Sequence, residues 1–407
     1  MSRFLSSPYF CAPALVVLSA VGFLLFFYQP IQADLLDFSI YHEAGRRLSE
    51  GQNIYTHLYR QKAHDGQEFE LVYLYPPYLA ASFAIISGLD KDVVKVLWCT
   101  LSFLAVVGVI CFLTSIFRSE SPYRLGVLPA LTLLSALVVC FEPVYWGVMM
   151  GQVDAIVFFW ICAYLFAILK GRYQLGGVFL SFAAVLKISP ALLCIWFVLA
   201  RKWKGFGAFL LSVLVLTCIE VFLFGVQPFH DFFTSFSSIS NGNALEGFVF
   251  NYSSVSSVLA LLPFRQFNTI LSFVLKCVFW LVFLFFLWRD REYSSRSSGF
   301  PILGVNSIIL CFMLLLSPIL WFHHFIWALV PLVTLMCKRI EGEENRFRYW
   351  TICAAFVFAI TQINLLHYQV LMNIPWAVSL SGVVPTLILF ALVFMLSNMS
   401  GQEQASQ

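Results

Sequence analysis

Apolar residues occur along this chain in long, closely spaced runs, and short polar segments separate them. Runs of about eighteen or more apolar residues can cross a bilayer as helices, and shorter runs fit short or re-entrant helices. The pattern therefore predicts an all-α polytopic membrane protein with a multi-helix transmembrane bundle of about 11–13 hydrophobic helices, some of them short or re-entrant. The runs cover residues 11–28, 76–88, 93–116, 125–141, 153–169, 174–186, 190–200, 205–226, 267–288, 302–317, 322–337, 350–366 and 376–396.

The amino-acid composition also indicates a lipid environment. Of the 407 residues, 60% are hydrophobic and 11% are charged, whereas a soluble domain is about half apolar and about a quarter charged. This excess of apolar side chains excludes an ordinary soluble globule and makes the lipid bilayer the expected partner. The net charge of +3 does not predict nucleic-acid binding, because the basic residues lie in short clusters between the apolar runs.

The cysteines and the first apolar run further limit the classes of protein that fit the sequence. None of the eleven cysteines forms a C-x-x-C pair, so neither a disulfide framework nor a zinc site is predicted. The run 11–28 follows a single Arg3 and has no small-residue cleavage motif behind it, so we expect a retained first helix. We expect one transmembrane domain over residues 1–400 and a short polar tail at 401–407.

Basic clusters between the runs predict which helix ends face the cytoplasm. For Lys170/Arg172 and Arg201/Lys202/Lys204 to share a side, the stretch 174–200 must be a hairpin, and Pro190 supplies its break. The same reasoning makes 317–324 the outward tip of a second hairpin. We expect 76–88 to be short or re-entrant, because a full crossing would reverse the sides of the helices that follow. The remaining cytoplasmic clusters are Arg289/Arg291/Arg296, Lys338/Arg339 and Arg346/Arg348, and the outer side receives 29–75, 142–152, Lys187, 227–251, His323/His324 and 364–374.

The loop 29–75 is the longest polar segment after the first helix, and it contains Asp34 and Asp37. From Asp37 to Gly51, the residues Phe38, Tyr41 and Ala44/Gly45 recur at helical spacing, which predicts a surface-lying amphipathic helix. Asp37 falls in its first turn, where the helix dipole favours an anion. A helix-capping role would explain Asp37 alone, but the size of this outer loop favours a functional role.

Two further motifs place aromatic and basic residues at the predicted outer boundary. Tyr73-Leu74-Tyr75-Pro76-Pro77-Tyr78 fixes where the chain re-enters the membrane, and aromatic residues there are typical interface anchors. Lys187 is flanked by apolar residues at the first hairpin tip, where a lysine must reach water or meet an anion. The sequence leaves phosphate binding and snorkelling both open for Lys187.

Four further ionisable residues could have a structural or a functional role, two at the second hairpin tip and two within apolar runs. His323 and His324 follow Ser317-Pro318 and Trp321, and this pair on the outer side is a candidate for substrate contact, although a lone histidine is more often structural. Glu220 and Lys276 lie within apolar runs at similar depth, which predicts that they pair with each other.

Five short motifs occur in one order along the chain. They are D-F-x-x-Y-x-x-A-G from Asp37 with a following L-x-x-G, then Y-P-P from Tyr75, G-Q-V-D at 151–154, L-K-I-S-P at 186–190 and S-P-x-x-W-x-H-H at 317–324. Together they resemble glycosyltransferase family 87, the polyprenol-phosphate-mannose-dependent mannosyltransferases of the GT-C superfamily. Two positions depart from the family pattern: Asp154 stands where asparagine is usual, and His42 stands where a second tyrosine is common.

The resemblance implies a GT-C-type enzyme with its active site at the outer membrane boundary. It implies a polyprenyl-phosphate sugar donor, typically mannose, an inverting transfer, and no cofactor or obligatory metal. Asp37 would be the general base, in an outer catalytic loop at 29–75, and Lys187 with His323 and His324 would hold the leaving phosphate. The further substrate-binding candidates in these motifs are Tyr41, Tyr75, Gln152 and Asp154.

Two alternatives remain at this stage. A lipid or solute transporter or flippase would place ionisable residues near the midplane of several helices and repeat its architecture, whereas the polar residues here concentrate on one face. A GT-C enzyme with another lipid-linked sugar fits the motifs equally well, and the acceptor could be a glycolipid, a glycan or a protein. The expected location is a bacterial inner (plasma) membrane, with the active site on the periplasmic or outer face.

Overall fold

A computed structural model of the chain describes most of the predicted transmembrane region. The described residues are 8–57, 59–62, 68–240, 268–289, 299–317, 320–338, 349, 351–356, 384 and 387–396. The predicted tail at 401–407, the outer segment 364–374 and most of the basic clusters after residue 289 lie outside these residues, as does 241–251 of the predicted outer loop 227–251.

Helices account for most of the described chain. They are α1 (Pro8–Phe23), α2 (Gln29–Gln32), α3 (Leu36–Ser49), α4 (Pro77–Ile85), α5 (Lys91–Glu120), α6 (Val127–Val139), α7 (Glu142–Met149), α8 (Asp154–Leu169), α9 (Tyr173–Leu186), α10 (Ile195–Leu199), α11 (Trp203–Phe224), α12 (Gln227–Ser240), α13 (Asn268–Arg289), α14 (Gly299–Leu316), α15 (Leu329–Met336) and α16 (Leu387–Leu396). A π-helical segment at Leu24–Tyr28 joins α1 to α2, and 3₁₀ segments at Ser189–Cys194 and Phe322–Ala328 precede α10 and α15.

Long apolar helices confirm an all-α polytopic membrane protein. Within the described residues, four helices are long and apolar enough to cross a membrane, and α6 with α7 forms a possible fifth span that bends by 60°. Several other apolar helices have only 10–17 residues, as the short runs predicted. The four long spans are Tyr9–Gln32, Lys91–Glu120, Trp203–Phe224 and Gly299–Leu316.

One small antiparallel sheet interrupts the helices. Strands β1 (Tyr59–Lys62) and β2 (Glu68–Leu71) pair in the loop after α3, with Tyr59 opposite Leu71 and Lys62 opposite Glu68. This hairpin departs from the expected all-α pattern. Its strands are difficult to predict because β2 alternates polar and apolar residues over only four positions, and β1 has one aromatic residue followed by three polar ones.

Helix α4 is too short to cross the membrane, so the chain is still on the side of the candidate site when the next helix begins. Its nine residues span about 13 Å at the helical rise, which is less than half of a bilayer core. The next helix, α5, begins near the site, where the Trp98 indole N–H donates to the Gly151 carbonyl at 3.0 Å. Just beyond its far end, the Tyr123 hydroxyl donates to the Lys338 carbonyl. Gly151 and Lys338 therefore lie at opposite ends of α5.

The predicted break at Lys187 is present. Helix α9 ends at Leu186, Lys187 adopts an extended conformation (φ −151°, ψ 124°), and the 3₁₀ segment follows with Pro190 near its start. The two ends of this stretch meet again, since the Lys202 ammonium lies 4.5 Å from the Tyr173 ring centre. The stretch is therefore a hairpin with Lys187 at its tip.

The amphipathic helix α3 buries the predicted face against another helix. Phe38, Tyr41, Ala44 and Gly45 are all buried, and Gly45 lies directly on α4. A β-carbon added to Gly45 would come within 2.4 Å of the Phe83 β-carbon and 2.8 Å of the Ala84 backbone nitrogen. The helix is thus fixed on protein instead of resting on the membrane surface.

The expected pair between Glu220 and Lys276 does not form. Glu220 is buried on α11, whereas Lys276 is exposed on α13. Neither carboxylate oxygen of Glu220 has a hydrogen-bond partner in the part of the chain that the structure describes. Similar depth along two helices did not predict contact, because depth says nothing about which way each side chain faces.

Substituting Gly45 tests the contact between α3 and α4. We expect Gly45→Ala to destabilise the purified protein by about 1–3 kcal/mol, because the added methyl meets backbone atoms that cannot move aside. The measurement is the melting midpoint in detergent. Gly207→Ala on α11 is the matched control, since a β-carbon there meets nothing within 4 Å. Equal melting midpoints for the two variants would contradict the close packing of α3 on α4.

Candidate active site

The eight predicted site residues come together from five separate parts of the chain. Two lie on α3, one precedes α4, and two lie where the turn before α8 passes into that helix. One is the tip of the first hairpin, and two lie on the second 3₁₀ segment. They are Asp37, Tyr41, Tyr75, Gln152, Asp154, Lys187, His323 and His324.

A tight turn at Gly151, just before α8, packs against the start of α3. Gly151 has a φ of +73°, and a β-carbon there would lie 2.9 Å from the β-carbons of Leu35 and Phe38. A glycine suits this position because the backbone conformation is left-handed and the space is filled. The Asp37 amide donates to the Met150 carbonyl at 2.9 Å. The turn therefore holds the first turn of α3 beside Gln152.

Gln152 is a completely buried hub between two tyrosines. Its Oε1 accepts hydrogen bonds from the Tyr41 hydroxyl at 3.0 Å and the Tyr75 hydroxyl at 2.6 Å. The tyrosine rings meet edge to face with centres 5.1 Å apart. Because Oε1 accepts both hydrogen bonds, the amide oxygen faces the tyrosines and the N–H groups point away from them.

Asp37 is buried, and its charge is balanced near neutral pH. Burial raises the pKa of this carboxyl to about 7, the neighbouring Gln152 side chain opposes the increase, Asp154 adds to it, and Lys187 lowers it. One carboxylate oxygen, Oδ2, has no hydrogen-bond partner among the described residues. A carboxylate with a pKa near the working pH and a free oxygen suits a general base.

Lys187 is paired with an acid that lies far away in the sequence. Its ammonium donates to Asp154 Oδ1 at 2.6 Å. The same ammonium lies 5.8 Å from the Tyr75 ring centre and 5.2 Å from that of Trp327. Simple snorkelling does not describe this geometry, because the lysine is fixed by an ion pair between two aromatic rings.

Asp154 also faces the two histidines. Its Oδ2 lies 3.5 Å from His323 Nε2 and 3.9 Å from His324 Nε2, and all three side chains are buried. The carboxylate stands at the first turn of α8, where the helix dipole favours a negative charge. Asp154 thus connects the cation to both histidines.

The cluster of Asp154, His323 and His324 has the spacing of a metal site but not its donor set. The three ligand atoms lie within 4.8 Å of one another. However, His324 Nδ1 accepts the Trp321 backbone N–H at 3.1 Å, so the proton of the neutral ring is on Nε2, which then has no lone pair for a metal. The Lys187 ammonium already occupies the other oxygen of Asp154. The arrangement suits an anion better than a metal ion.

A cavity of about 560 Å³ lies beside this cluster. Its walls are mostly apolar, and Lys187 and His324 contribute charged and polar groups next to Tyr75, Trp321 and Trp327. Asp154 and Gln152 are not part of its lining. The cavity therefore combines mostly apolar walls with a polar part that holds a cation and an N–H donor.

A second, smaller pocket contains Asp37. It measures about 20 Å³ and shares Leu74, Tyr75 and Trp321 with the large cavity. The carboxylate and the ammonium thus face neighbouring spaces separated by the same aromatic side chains. A bond between these two spaces could be attacked from the carboxylate side while an anion leaves towards the lysine.

The motifs identified most of these residues but missed others. Trp327 stacks parallel to His324, with ring centres 5.8 Å apart, and also faces Lys187. The spacing of His324 and Trp327, three residues apart beside a helix break, is the signal that could have shown this contact. Trp98 fixes the Gly151 turn from α5, and nothing near it in sequence indicates that role.

Comparison with known proteins assigns the family. A model of glycosyltransferase family 87 matches residues 73–318, which is more than half of the chain. The chain belongs to glycosyltransferase family 87. Four of the eight candidate site residues of this family 87 protein lie within the matched range; they are Tyr75, Gln152, Asp154 and Lys187.

Individual relatives extend the match to most of the chain. It is 25% identical over 376 residues to the polyprenol-phosphate-mannose-dependent alpha-(1-2)-phosphatidylinositol pentamannoside mannosyltransferase of Mycolicibacterium smegmatis, covering 90% of this chain and 82% of the relative. The protein of the same description from Mycobacterium tuberculosis is 24% identical, over 82% and 73% of the two chains. A phosphatidylinositol mannoside mannosyltransferase of Mycolicibacterium smegmatis is 22% identical, over 81% and 76%. This family 87 protein is therefore a membrane glycosyltransferase.

Proposed function

We propose that this family 87 enzyme transfers mannose from a polyprenyl-phosphate carrier to an acceptor hydroxyl. The observation that carries the proposal is that Asp37 and Lys187 face adjoining pockets that share Leu74, Tyr75 and Trp321. A base and a cation that face adjoining pockets suit a single displacement at a phosphorylated sugar. The relatives' dependence on polyprenol-phosphate-mannose supports the choice of donor.

The donor phosphate binds at the polar end of the large cavity. Lys187 supplies a fixed positive charge and His324 supplies an Nε2–H donor, and both line that cavity. The leaving phosphate gains negative charge as its bond to the sugar breaks, so a cation placed there stabilises the transition state more than the bound donor. The apolar walls accommodate the first part of the polyprenyl chain, and the lipid stays within the bilayer.

The acceptor is activated at Asp37. The carboxylate takes the proton of the acceptor hydroxyl while that oxygen forms a bond to the anomeric carbon. The bond from the anomeric carbon to the phosphate oxygen breaks with its electron pair, and polyprenyl phosphate leaves. Because there is one displacement, with attack opposite the leaving group, the configuration at the anomeric carbon inverts. The proton on Asp37 then passes to water.

The relatives also indicate an acceptor class and a location. Their named acceptors are phosphatidylinositol mannosides, and we propose a glycolipid hydroxyl for this chain. Positively charged loops mark the cytoplasmic ends of membrane helices. On that rule Lys170 and Arg172 are cytoplasmic, one length of α8 away from Asp154. The active site then faces the outer side of a bacterial inner membrane.

Replacing the proposed base tests the chemistry. We expect Asp37→Asn to lower turnover by at least about a hundredfold, because an amide cannot accept the hydroxyl proton. Asp34→Asn is the matched control, since Asp34 is an exposed carboxylate three residues earlier. The measurement is transfer of labelled mannose from polyprenyl-phosphate mannose by purified protein. Near-normal turnover of Asp37→Asn would exclude Asp37 as the base.

Changing the cation tests the phosphate site. We expect Lys187→Met to raise the donor KM ten- to a hundredfold, because a charge-assisted contact contributes about 1.5–3 kcal/mol. Lys187→Arg should retain part of the affinity, since its charge remains but its geometry differs. Lys170→Met, an exposed lysine at the far end of α8, is the control for losing a lysine.

The Lys187→Met result needs one folding control. Removing Lys187 leaves the buried Asp154 without its partner, so the double variant Lys187→Met with Asp154→Asn removes both charges together. If the double variant melts like the wild type yet still has a raised donor KM, the loss is in binding. An unchanged donor KM in either well-folded variant would contradict the phosphate role.

Accessibility labelling tests the orientation. We expect an impermeant thiol reagent to label Gln52→Cys from outside spheroplasts, and Arg172→Cys only after permeabilisation. Both positions are exposed, Gln52 in the loop after α3 and Arg172 beyond α8. The eleven native cysteines are replaced first so that each variant has one thiol. The reverse labelling pattern would place the site on the cytoplasmic side.

A further inference from the structure

Asp154 stands behind Lys187 as seen from the large cavity. Its side chain is completely buried and does not line the cavity, whereas the Lys187 side chain keeps 15% of its surface exposed and does line it. An ammonium has three N–H donors, and Asp154 Oδ1 takes one of them at 2.6 Å. The others are directed by the tetrahedral geometry away from Asp154.

The surroundings of Lys187 limit its other positions. The Tyr75 and Trp327 rings flank the ammonium at 5.8 Å and 5.2 Å. A free lysine side chain would distribute over many rotamers, and aligning it costs free energy each time a ligand binds. The carboxylate behind it and the rings beside it reduce that cost before any substrate arrives.

We propose that Asp154 is a positioning residue, which acts through Lys187 to aim the ammonium into the cavity and through its charge to keep the base effective. The inference rests on the proposed transfer reaction and adds a role that lies outside the reacting atoms. Asp154 contacts neither proposed substrate subsite, so it affects turnover only through the groups that do.

The charge part of the role follows from what surrounds Asp37. The carboxyl is faced by Tyr41 on its own helix, by Tyr75 from the segment before α4, by Gln152 and Asp154 from the turn before α8, and by Lys187 from the hairpin tip. After burial, the charges that act on its pKa have opposite signs: Asp154 raises it and Lys187 lowers it. The ion pair of Asp154 and Lys187 therefore has nearly no net charge as seen by Asp37.

Asp154→Asn would leave Lys187 as an uncompensated cation near Asp37. The pKa of Asp37 would then fall, because a positive charge favours the carboxylate. A base with a lower pKa is ionised at lower pH, so the acidic limb of the kcat/KM profile would move towards lower pH. The same base is also weaker at the moment of proton transfer, so the plateau rate falls.

Asp154→Glu separates the two parts of the role. A glutamate keeps the negative charge but extends it by one methylene, which displaces the ammonium without removing its counterion. We expect Asp154→Glu to lower kcat with the acidic limb unmoved. We expect Asp154→Asn to lower kcat about tenfold and to move the acidic limb down by about one pH unit, the lower end of the usual effect of a nearby charge.

The experiment measures kcat, donor KM and kcat/KM against pH for wild type, Asp154→Asn, Asp154→Glu and the control Asp92→Asn, with a melting midpoint for each. Asp92 is an exposed acid in the first turn of α5, and its loss should move none of these values. In both Asp154 variants we expect the donor KM to change less than the kcat. In a Lys187→Met background, adding Asp154→Asn should lower kcat by less than the tenfold expected in the wild type, because only the part of the role that acts through Lys187 is gone. The acidic limb should still move to lower pH, since the negative charge near Asp37 is lost in either background.

The outcomes distinguish this inference from the proposed function. Wild-type protein that transfers no mannose from polyprenyl-phosphate mannose overturns the proposed function itself. Active wild type together with an Asp154→Asn variant whose kcat and acidic limb are unchanged overturns the positioning role alone. If Asp154→Asn does not fold, an unchanged kcat for Asp154→Glu overturns it, and so does a full tenfold effect of Asp154→Asn in the well-folded Lys187→Met background.

Discussion

The ion pair between Asp154 and Lys187 is the interaction on which the site depends. A charge buried in an apolar bundle must be paired or neutralised, because the low-dielectric interior does not solvate it. The pair joins the start of α8 to the hairpin tip after α9, and the histidines of the second 3₁₀ segment face the same carboxylate. Three distant parts of the chain therefore meet at one buried charge, which leaves the lysine facing the cavity.

The sequence predicted much of the fold, and it named eight candidate residues that the structure brings together; the local features that it predicted correctly have local causes. Pro190 ends α9 at the expected place, and the helical spacing of Phe38, Tyr41 and Gly45 predicted the buried face of α3. The limits also have a physical cause. The partner of Lys187 lies 33 residues earlier in the chain, and only tertiary packing brings it near. The failed pairing of Glu220 with Lys276 shows the same limit, since depth in the membrane does not fix side-chain direction.

The turn at Gly151 explains why Asp37 lies close to the ion pair of Asp154 and Lys187. Its left-handed backbone brings the first turn of α3 against the residues that follow, so Asp37 binds Met150 through its backbone while its carboxyl lies beside Gln152. Two residues further, the same turn delivers Asp154 to Lys187. A single turn thus carries the hub for the tyrosines and the counterion for the cation. A shift of this turn would move both at once.

Asp154 also determines the net charge of the buried groups, because it carries one of the two carboxylates among them. With aspartate, the buried groups Asp37, Asp154 and Lys187 sum to one negative charge when Asp37 is ionised, and to zero when it is protonated. Asp154 is held by the ammonium, whereas Asp37 has a pKa near 7 and a free oxygen. Asp37 is therefore the carboxyl that suits the proton exchange of the proposed reaction, whereas Asp154 serves as the counterion of Lys187.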